Sequence, residues 1–338
     1  VRSDIAEVQQ RSVMHRLWFE RSLPPHLAGL VRGRAVAVDP EPLDDPLASA
    51  AEADGAIASS LIRYDASSFD RMPRLRVVSR TGIGYDRIDV SEATRRGIAI
   101  CTAPDAPTVS TAEHTVALIL AVAKRLDAAA AMLRRGPGDY FSHHGGVELA
   151  GRTLGVVGYG RIGTQVAAMG SCLGMKVIIF DPEQHPQSPD MAVADTFAEL
   201  LGAADIVTLH VPLGDDTRHL LDERAFARMR PGAILVNTAR GGLVDQEALL
   251  AALDSGHLRG AGLDVTEPEP LPRSHPLLNR ENVVVTPHVA SATIEGRDRL
   301  YEQAIRHALE VLDGGRPDSI LNPEVLPRSV EPAPGGIG

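Results

Sequence analysis

Short apolar runs recur along this chain, each followed by a longer polar stretch in which apolar residues return at helical spacing. Over the first hundred residues the runs are 16–20, 35–39, 55–59, 76–80 and 98–102, short and β-branched enough to be strands. Between them lie helical patterns such as 91–96, closed by Gly97. A βα alternation of this kind predicts a parallel sheet. A second and cleaner series gives strands at 153–157, 176–180, 205–210, 233–237, 260–265 and 282–286. Helices are predicted between them near 162–173, 196–203, 222–229 and 245–255. Thr196 with Glu199 fits a capping box, and Asp245 fits an N-cap.

One long helical pattern, from about Thr108 to Arg135, separates the two series. Val116, Leu118, Ile119, Leu120 and Val122 predict its burial on more than one side, and Gly136-Pro137-Gly138 ends it. A last amphipathic pattern covers about 294–312. The second series therefore reads as an insertion in the first. One domain is expected at 14–107 plus 292–325 and the other at 108–291, with crossings near Ala106 and Ser291 forming a hinge above a cleft. Residues 1–13 and 326–338 are expected to be disordered tails.

Composition narrows the class. A chain of 338 residues holds two cores. A net charge of -10 argues against a nucleic-acid binder, and no apolar stretch is long enough for a membrane span. These features, with no secretory leader pattern at the start, predict a cytoplasmic protein. The two cysteines, Cys101 and Cys172, sit among apolar neighbours and are expected to be buried, reduced thiols. The pair His143-His144 lacks companions for a metal site and reads as a solvated loop.

Chemistry enters with Gly158-Tyr159-Gly160-Arg161-Ile162-Gly163, which follows a strand and opens a helix. In such a motif the first glycine makes the tight turn, the second admits a pyrophosphate, and the third lets helix and strand pack. The amides of Arg161 and Ile162 would face the phosphates at the helix N-terminus. The next strand ends at Asp181, placed to accept hydrogen bonds from both ribose hydroxyls and to repel a 2′-phosphate. Glu183-Gln184-His185 offers no cation to hold such a phosphate, so NAD is favoured over NADP. Three later strand-like runs end in polar residues: Asn237-Thr238-Ala239-Arg240-Gly241-Gly242, Gly262 through Pro270, and Val283 through His288. Together they offer an arginine, a glutamate and a histidine, able to bind, polarise and protonate a 2-oxo acid. Glu267 and Glu269 both compete for the glutamate role.

From about residue 16 to 326 the chain resembles the D-isomer-specific 2-hydroxyacid dehydrogenase family. The matching pieces, in family order, are Thr81 through Asp89, Thr111-Ala112-Glu113-His114-Thr115, the glycine motif, His210-Val211-Pro212-Leu213, Asn237 through Gly241, Leu263-Asp264-Val265 through Glu269-Pro270, and Thr286-Pro287-His288. The resemblance implies an α/β protein of two doubly wound parallel-sheet domains, a Rossmann NAD-binding domain inserted in a flavodoxin-like substrate domain. It implies that Arg240 binds the substrate carboxylate and orients the carbonyl, and that His288 is the general acid in reduction and base in oxidation. The family spacing selects Glu269 to pair with His288 and keep it protonated, leaving Glu267 aside. Asp264 would contact the nicotinamide carboxamide, with the Ala239 carbonyl beside it. Thr111, His210, Pro212, Thr217, Thr238 and Ala290 would line the cofactor, and the amides of Ile83 and Gly84 would hold the substrate carboxylate from the other domain.

Implied substrates are glyoxylate, hydroxypyruvate or 3-phosphoglycerate. The segment Ser59-Ser60-Leu61-Ile62-Arg63 lacks the basic pattern expected for a phosphorylated substrate; Arg63 stands between substrate contact and solvated surface, and Arg80 reads as a local structural group. A homodimer built around 125–151 is implied as well. The competing readings are a sister reaction such as formate or phosphite oxidation, and an NAD-sensing, corepressor-like binding protein.

Overall fold

The structure, a computed structural model, describes residues 14–41, 44–59, 61–183 and 191–326. The expected tails at 1–13 and 327–338, Ser60, and the segment Gln184-His185 lie outside these residues. The chain divides into two compact units, one spanning Thr108–Thr293 and the other formed by the residues before and after it.

In the flanking unit the elements run β1 (His15–Phe19), β2 (Ala35–Val38), β3 (Gly55–Ala58), α1 (Ala66–Asp70), β4 (Val77–Arg80), α2 (Val90–Arg95) and β5 (Ala99–Cys101). The inserted unit continues with α3 (Thr108–Ala123), α4 (Leu126–Arg135), α5 (Tyr140–His143), β6 (Thr153–Val157), α6 (Arg161–Cys172), β7 (Lys176–Phe180), β8 (Ala192–Val193), α7 (Phe197–Ala203), β9 (Ile206–Leu209), α8 (Glu223–Arg228), β10 (Ala233–Asn237), α9 (Gln246–Asp254), β11 (Leu258–Leu263) and β12 (Val283–Val285). Helix α10 (Ile294–Leu312) returns to the first unit.

All strand pairings within the sheets are parallel. The five-stranded sheet has the order β2-β1-β3-β4-β5, and the seven-stranded sheet β12-β11-β10-β9-β6-β7-β8. These are the flavodoxin-like and Rossmann orders, each with a point where consecutive strands diverge to opposite sides. Central strands are apolar throughout because helices cover both faces: β9 and β10 are buried along their whole length. Helix α10 buries Ala304, Ile305, Ala308, Leu309, Val311 and Leu312 in the core beside β1, β3, β4 and β5. Leu326, expected in the frayed tail, packs against that same core.

Helix starts follow the caps. The side chains of Asp65, Asp89, Asp222 and Asp245 accept from amides of the first turns of α1, α2, α8 and α9. Thr196 caps α7 by accepting from the Glu199 amide at 3.1 Å, while Glu199 accepts from Asp195, one residue before the position a capping box requires.

Three expectations needed correction. The long helix breaks at Arg125, which adopts left-handed backbone (φ 50°), and the Val147 amide takes the Ala123 carbonyl at 2.8 Å. The seven-stranded sheet gains the two-residue β8. Cys172 is exposed at the last turn of α6, whereas Cys101 is buried and burial, with the nearby Glu310 charge, pushes its thiol up to about 12.

Candidate active site

Register brings the chemistry to one line. Phe180 pairs with Val157, Val157 with Leu209, Leu209 with Asn237, Asn237 with Leu263, and Leu263 with Val285. Six strands of the inserted unit therefore end level. The residues that follow them are Asp181, Gly158, His210, Thr238, Asp264 and Thr286. In doubly wound sheets this carboxyl edge is where ligands bind.

The glycine motif has the shape its chemistry requires. Gly158 has φ 91°, and a Cβ there would lie 2.7 Å from the His210 carbonyl oxygen. A Cβ on Gly163 would lie 2.0 Å from the Gly158 oxygen, so α6 packs on the loop main chain to main chain. Beside Gly160, in contrast, a Cβ would meet nothing within 4 Å. Space is thus left open at the position where a pyrophosphate has to approach, and Arg161 and Ile162 open the helix there. The Asp181 carboxylate accepts from the Tyr159 amide at 2.7 Å and the Glu183 amide at 2.9 Å, which ties the end of β7 to the glycine turn. These residues fit a dinucleotide.

On the other side of the sheet's switch point the loops after β10, β11 and β12 carry the titratable groups. His288 Nδ1 lies 2.6 Å from Glu269 Oε1, with both side chains about two-fifths exposed (42% and 40%). Nδ1 therefore donates to the carboxylate, and Nε2 is the ring nitrogen not engaged by Glu269. Glu267 points elsewhere: both its oxygens accept from Arg218 at 3.0 Å, and Gln246 holds its main chain, accepting from the amide at 3.1 Å and donating to the carbonyl. His288 sits in left-handed backbone, φ 54°. Its amide donates to the Asp264 carbonyl at 2.7 Å, and the buried Asp264 carboxylate accepts from the Val289 and Ala290 amides at 2.9 Å and from the Thr286 hydroxyl at 2.6 Å. The Asp264 carboxylate thus shapes the histidine loop.

Arg240 follows β10. Fully buried Asn237 donates to the Arg240 carbonyl at 2.8 Å and accepts from the Ala239 amide at 3.0 Å, fixing this turn. The Arg240 guanidinium donates to the Ala239 carbonyl at 2.7 Å. A Cβ on Gly241 would lie 2.1 Å from the Thr266 oxygen, so the arginine and glutamate loops touch through main chain.

Further candidates cluster on the same edge. Thr217 donates to the Pro212 carbonyl at 2.7 Å, and Thr238 shares a 2.8 Å hydroxyl contact with Thr115. Thr111 is buried one helical turn before Thr115, whose hydroxyl donates to its carbonyl at 2.8 Å. The His210 ring, held at 3.0 Å from the Thr208 hydroxyl, is pushed down to about 3 by burial and stays neutral. Ile83 and Gly84 belong to the flanking unit, in the loop after β4. There Arg80 donates to the Gly84 carbonyl at 3.0 Å and the Thr81 carbonyl at 2.5 Å, a local structural role. Arg63 is largely exposed. His143 turns its ring to the Asp139 carbonyl at 2.7 Å. Among the described residues no cluster of three or more His, Cys, Asp or Glu side chains gathers to hold a metal, and no helix is long and apolar enough to cross a membrane. Asn237, Thr115, His114 and Thr286 were not singled out from the sequence as site-forming residues, although each stood inside a quoted motif.

Comparison with known proteins agrees with this geometry. The family model for the D-isomer specific 2-hydroxyacid dehydrogenase, NAD binding domain, matches residues 116–290. A glyoxylate reductase of Thermofilum pendens is 44% identical over 273 residues, covering 78% of this chain and 80% of that protein. A D-3-phosphoglycerate dehydrogenase of Methanocaldococcus jannaschii is 39% identical over 280 residues, but the match covers 82% of this chain and only 53% of that longer protein. Among solved structures, the D-lactate dehydrogenase of Aquifex aeolicus, complexed with NAD and lactic acid, superposes with a TM-score of 0.79 at 27% identity, covering 91% of this chain and 99% of that one. The chain is a member of the D-isomer specific 2-hydroxyacid dehydrogenase family. It is an oxidoreductase acting on 2-hydroxy acids, with an NAD-binding domain.

Proposed function

We propose that this enzyme uses NAD to interconvert a small 2-oxo acid and its D-2-hydroxy acid, with glyoxylate or hydroxypyruvate as substrate. The observation that carries the reading is the 2.6 Å His288–Glu269 pair, set on a loop beside that of Arg240. When bound, NAD supplies or accepts the hydride. The protein does the rest. Arg240 binds the carboxylate and polarises the carbonyl. In reduction His288 gives its Nε2 proton to the carbonyl oxygen as the hydride arrives at carbon; in oxidation it takes the hydroxyl proton. Glu269 fixes the ring orientation and balances the imidazolium charge. Partial exposure of the pair lets His288 exchange its proton with water between turnovers. On the resemblance alone, the amides of Ile83 and Gly84 are further carboxylate donors in this proposal.

We further propose NAD over NADP, because Asp181 would repel a 2′-phosphate. The exposed Arg63, with Asp65 4.0 Å away, gives little support to a phosphorylated substrate. A cytoplasmic homodimer completes the reading. Its contact surface is the segment 125–151, where Leu126, Leu133, Tyr140 and Phe141 are exposed, Phe141 at 95%.

The test is NADH oxidation by purified protein against glyoxylate, hydroxypyruvate, pyruvate, phenylpyruvate and 3-phosphohydroxypyruvate, repeated with NADPH. Turnover on one of the first two, preferring NADH and reduced about 10²- to 10⁴-fold in His288→Ala, is expected. Tight NADH binding without turnover on any oxo acid would move the assignment to a sister reaction or a nucleotide sensor.

A further inference from the structure

Helix α3 reaches two of the catalytic loops with adjacent side chains. Thr115, fully buried, meets Thr238 at the start of the Arg240 loop, 2.8 Å between hydroxyls. His114, on the same turn, meets the loop that carries His288: its Nε2 lies 3.0 Å from Thr286 Oγ1 and 3.5 Å from Asp264 Oδ1. Among the described residues His114 is the basic side chain paired with that buried carboxylate.

The direction of these hydrogen bonds can be worked out from proton counting. Thr286 has one hydroxyl proton, and its contact with Asp264 Oδ1 is short, 2.6 Å. A buried carboxylate accepts and does not donate, so that proton lies on the Thr286–Asp264 line. Thr286 Oγ1 can then only accept from His114, and Nε2 of His114 carries a hydrogen. The chain reads His114 Nε2–H to Thr286 O–H to Asp264 carboxylate, and the same carboxylate collects the Val289 and Ala290 amides at 2.9 Å. This bracket encloses His288, a β-carbon-bearing residue held at φ 54°, a backbone conformation that L residues adopt only when their surroundings enforce it.

We propose that His114 is a positioning residue for the general acid: through Thr286 and Asp264 it anchors the His288 loop to helix α3. The inference rests on the assignment of His288 made above. His114 touches no reacting atom in it. Because Nε2 is the donor whether the ring is neutral or charged, an uncharged donor at the same reach substitutes for it, and a side chain of similar volume without a donor does not.

The experiment compares kcat and KM for the preferred oxo acid in wild type, His114→Leu and His114→Gln, with rates taken per NADH-binding site so that misfolded protein does not count. Expected is about a tenfold fall in kcat for His114→Leu with KM within about twofold, and recovery in His114→Gln, whose amide nitrogen reaches the same place. Thr286→Val should reproduce the fall and Thr286→Ser should reverse it, which carries the test if the leucine variant does not fold. The double variant His114→Leu/Thr286→Val should be no slower than the slower single one, since both break one chain. An unchanged kcat in His114→Leu, a glutamine variant as slow as the leucine one, or multiplicative effects in the double variant would each overturn the proposal. Should the wild type turn over no oxo acid, the functional assignment fails, and the anchoring is still read from ring N–H signals of ¹⁵N-histidine-labelled protein. The His288 signal should then shift and exchange faster in His114→Leu and revert in His114→Gln; no change would refute the anchor independently of activity.

Discussion

The carboxyl edges of the two sheets use charge in opposite ways. On the seven-stranded sheet Arg240, Glu269 and His288 are presented on loops, and uncharged or inward-turned groups, Asn237, Thr286 and Asp264, hold those loops. On the five-stranded sheet the charged groups themselves do the holding. Glu20, only 2% exposed at the end of β1, accepts from the amides of Ser59 and Ile62, and Arg80 clasps the carbonyls of Thr81 and Gly84. Those loops leave the apolar Leu61, Ile83 and Tyr85 exposed, together with the charged Arg63, Asp86 and Arg87. One architecture thus yields one edge whose loops are held by uncharged or inward-turned groups and another whose loops are held by charged side chains.

The sharpest break of that contrast lies within the glutamates. Glu269→Gln should lower kcat by about 10²-fold, because on the proposed assignment His288 loses its orienting charge. Glu267→Gln, which disturbs exposed pairs with Arg218 and His219, should stay within about twofold. Equal losses in steady-state kinetics would mean that the whole loop, rather than one presented carboxylate, matters.

A smaller effect tests the other edge. Glu20→Gln replaces one accepting oxygen by a donor facing an amide, and should destabilise the protein by about 1–3 kcal/mol in denaturant titration. It should raise KM several-fold with kcat nearly unchanged. A collapse of kcat with KM intact would place Glu20 among the presented groups.

The smallest effect is a pH slope. His210 is held down to about 3 by burial, so between that value and its unfolded range near 6.5 the unfolded chain binds a proton that the native state refuses. Stability contributed by this site is full above about pH 6.5 and falls as pH drops. His210→Gln should flatten the fall by about 1 kcal/mol near pH 5.5, measured by denaturant titration across that range. His307, in the flanking unit, is shifted the same way by burial, so some acid sensitivity should survive the substitution.

Much of this was legible because parallel strands covered on both faces read as plain apolar runs. The bounds of β6, β7 and β10 coincide with the runs that predicted them. The glycine motif was legible for a similar reason, since the crowding at Gly158 and Gly163 admits no side chain. The break between α3 and α4 was not, because it is made by an arginine in left-handed backbone rather than by glycine or proline. Cys172 misled because its apolar neighbour Leu173 is itself exposed at the end of α6. His114 and Thr286 lie 172 positions apart, and only the packing of α3 against β12 makes them partners.

Gly241 has a practical consequence for anyone reshaping this catalyst. No methyl group fits between its Cα and the Thr266 carbonyl, so the gap between the arginine loop and the glutamate loop is fixed by bare backbone. Libraries that vary the side chains around it inherit a constant ruler between the loop of Arg240 and the loop of Glu269. A library that randomises Gly241 itself discards that ruler, and most of its members should be lost before any new specificity is sampled.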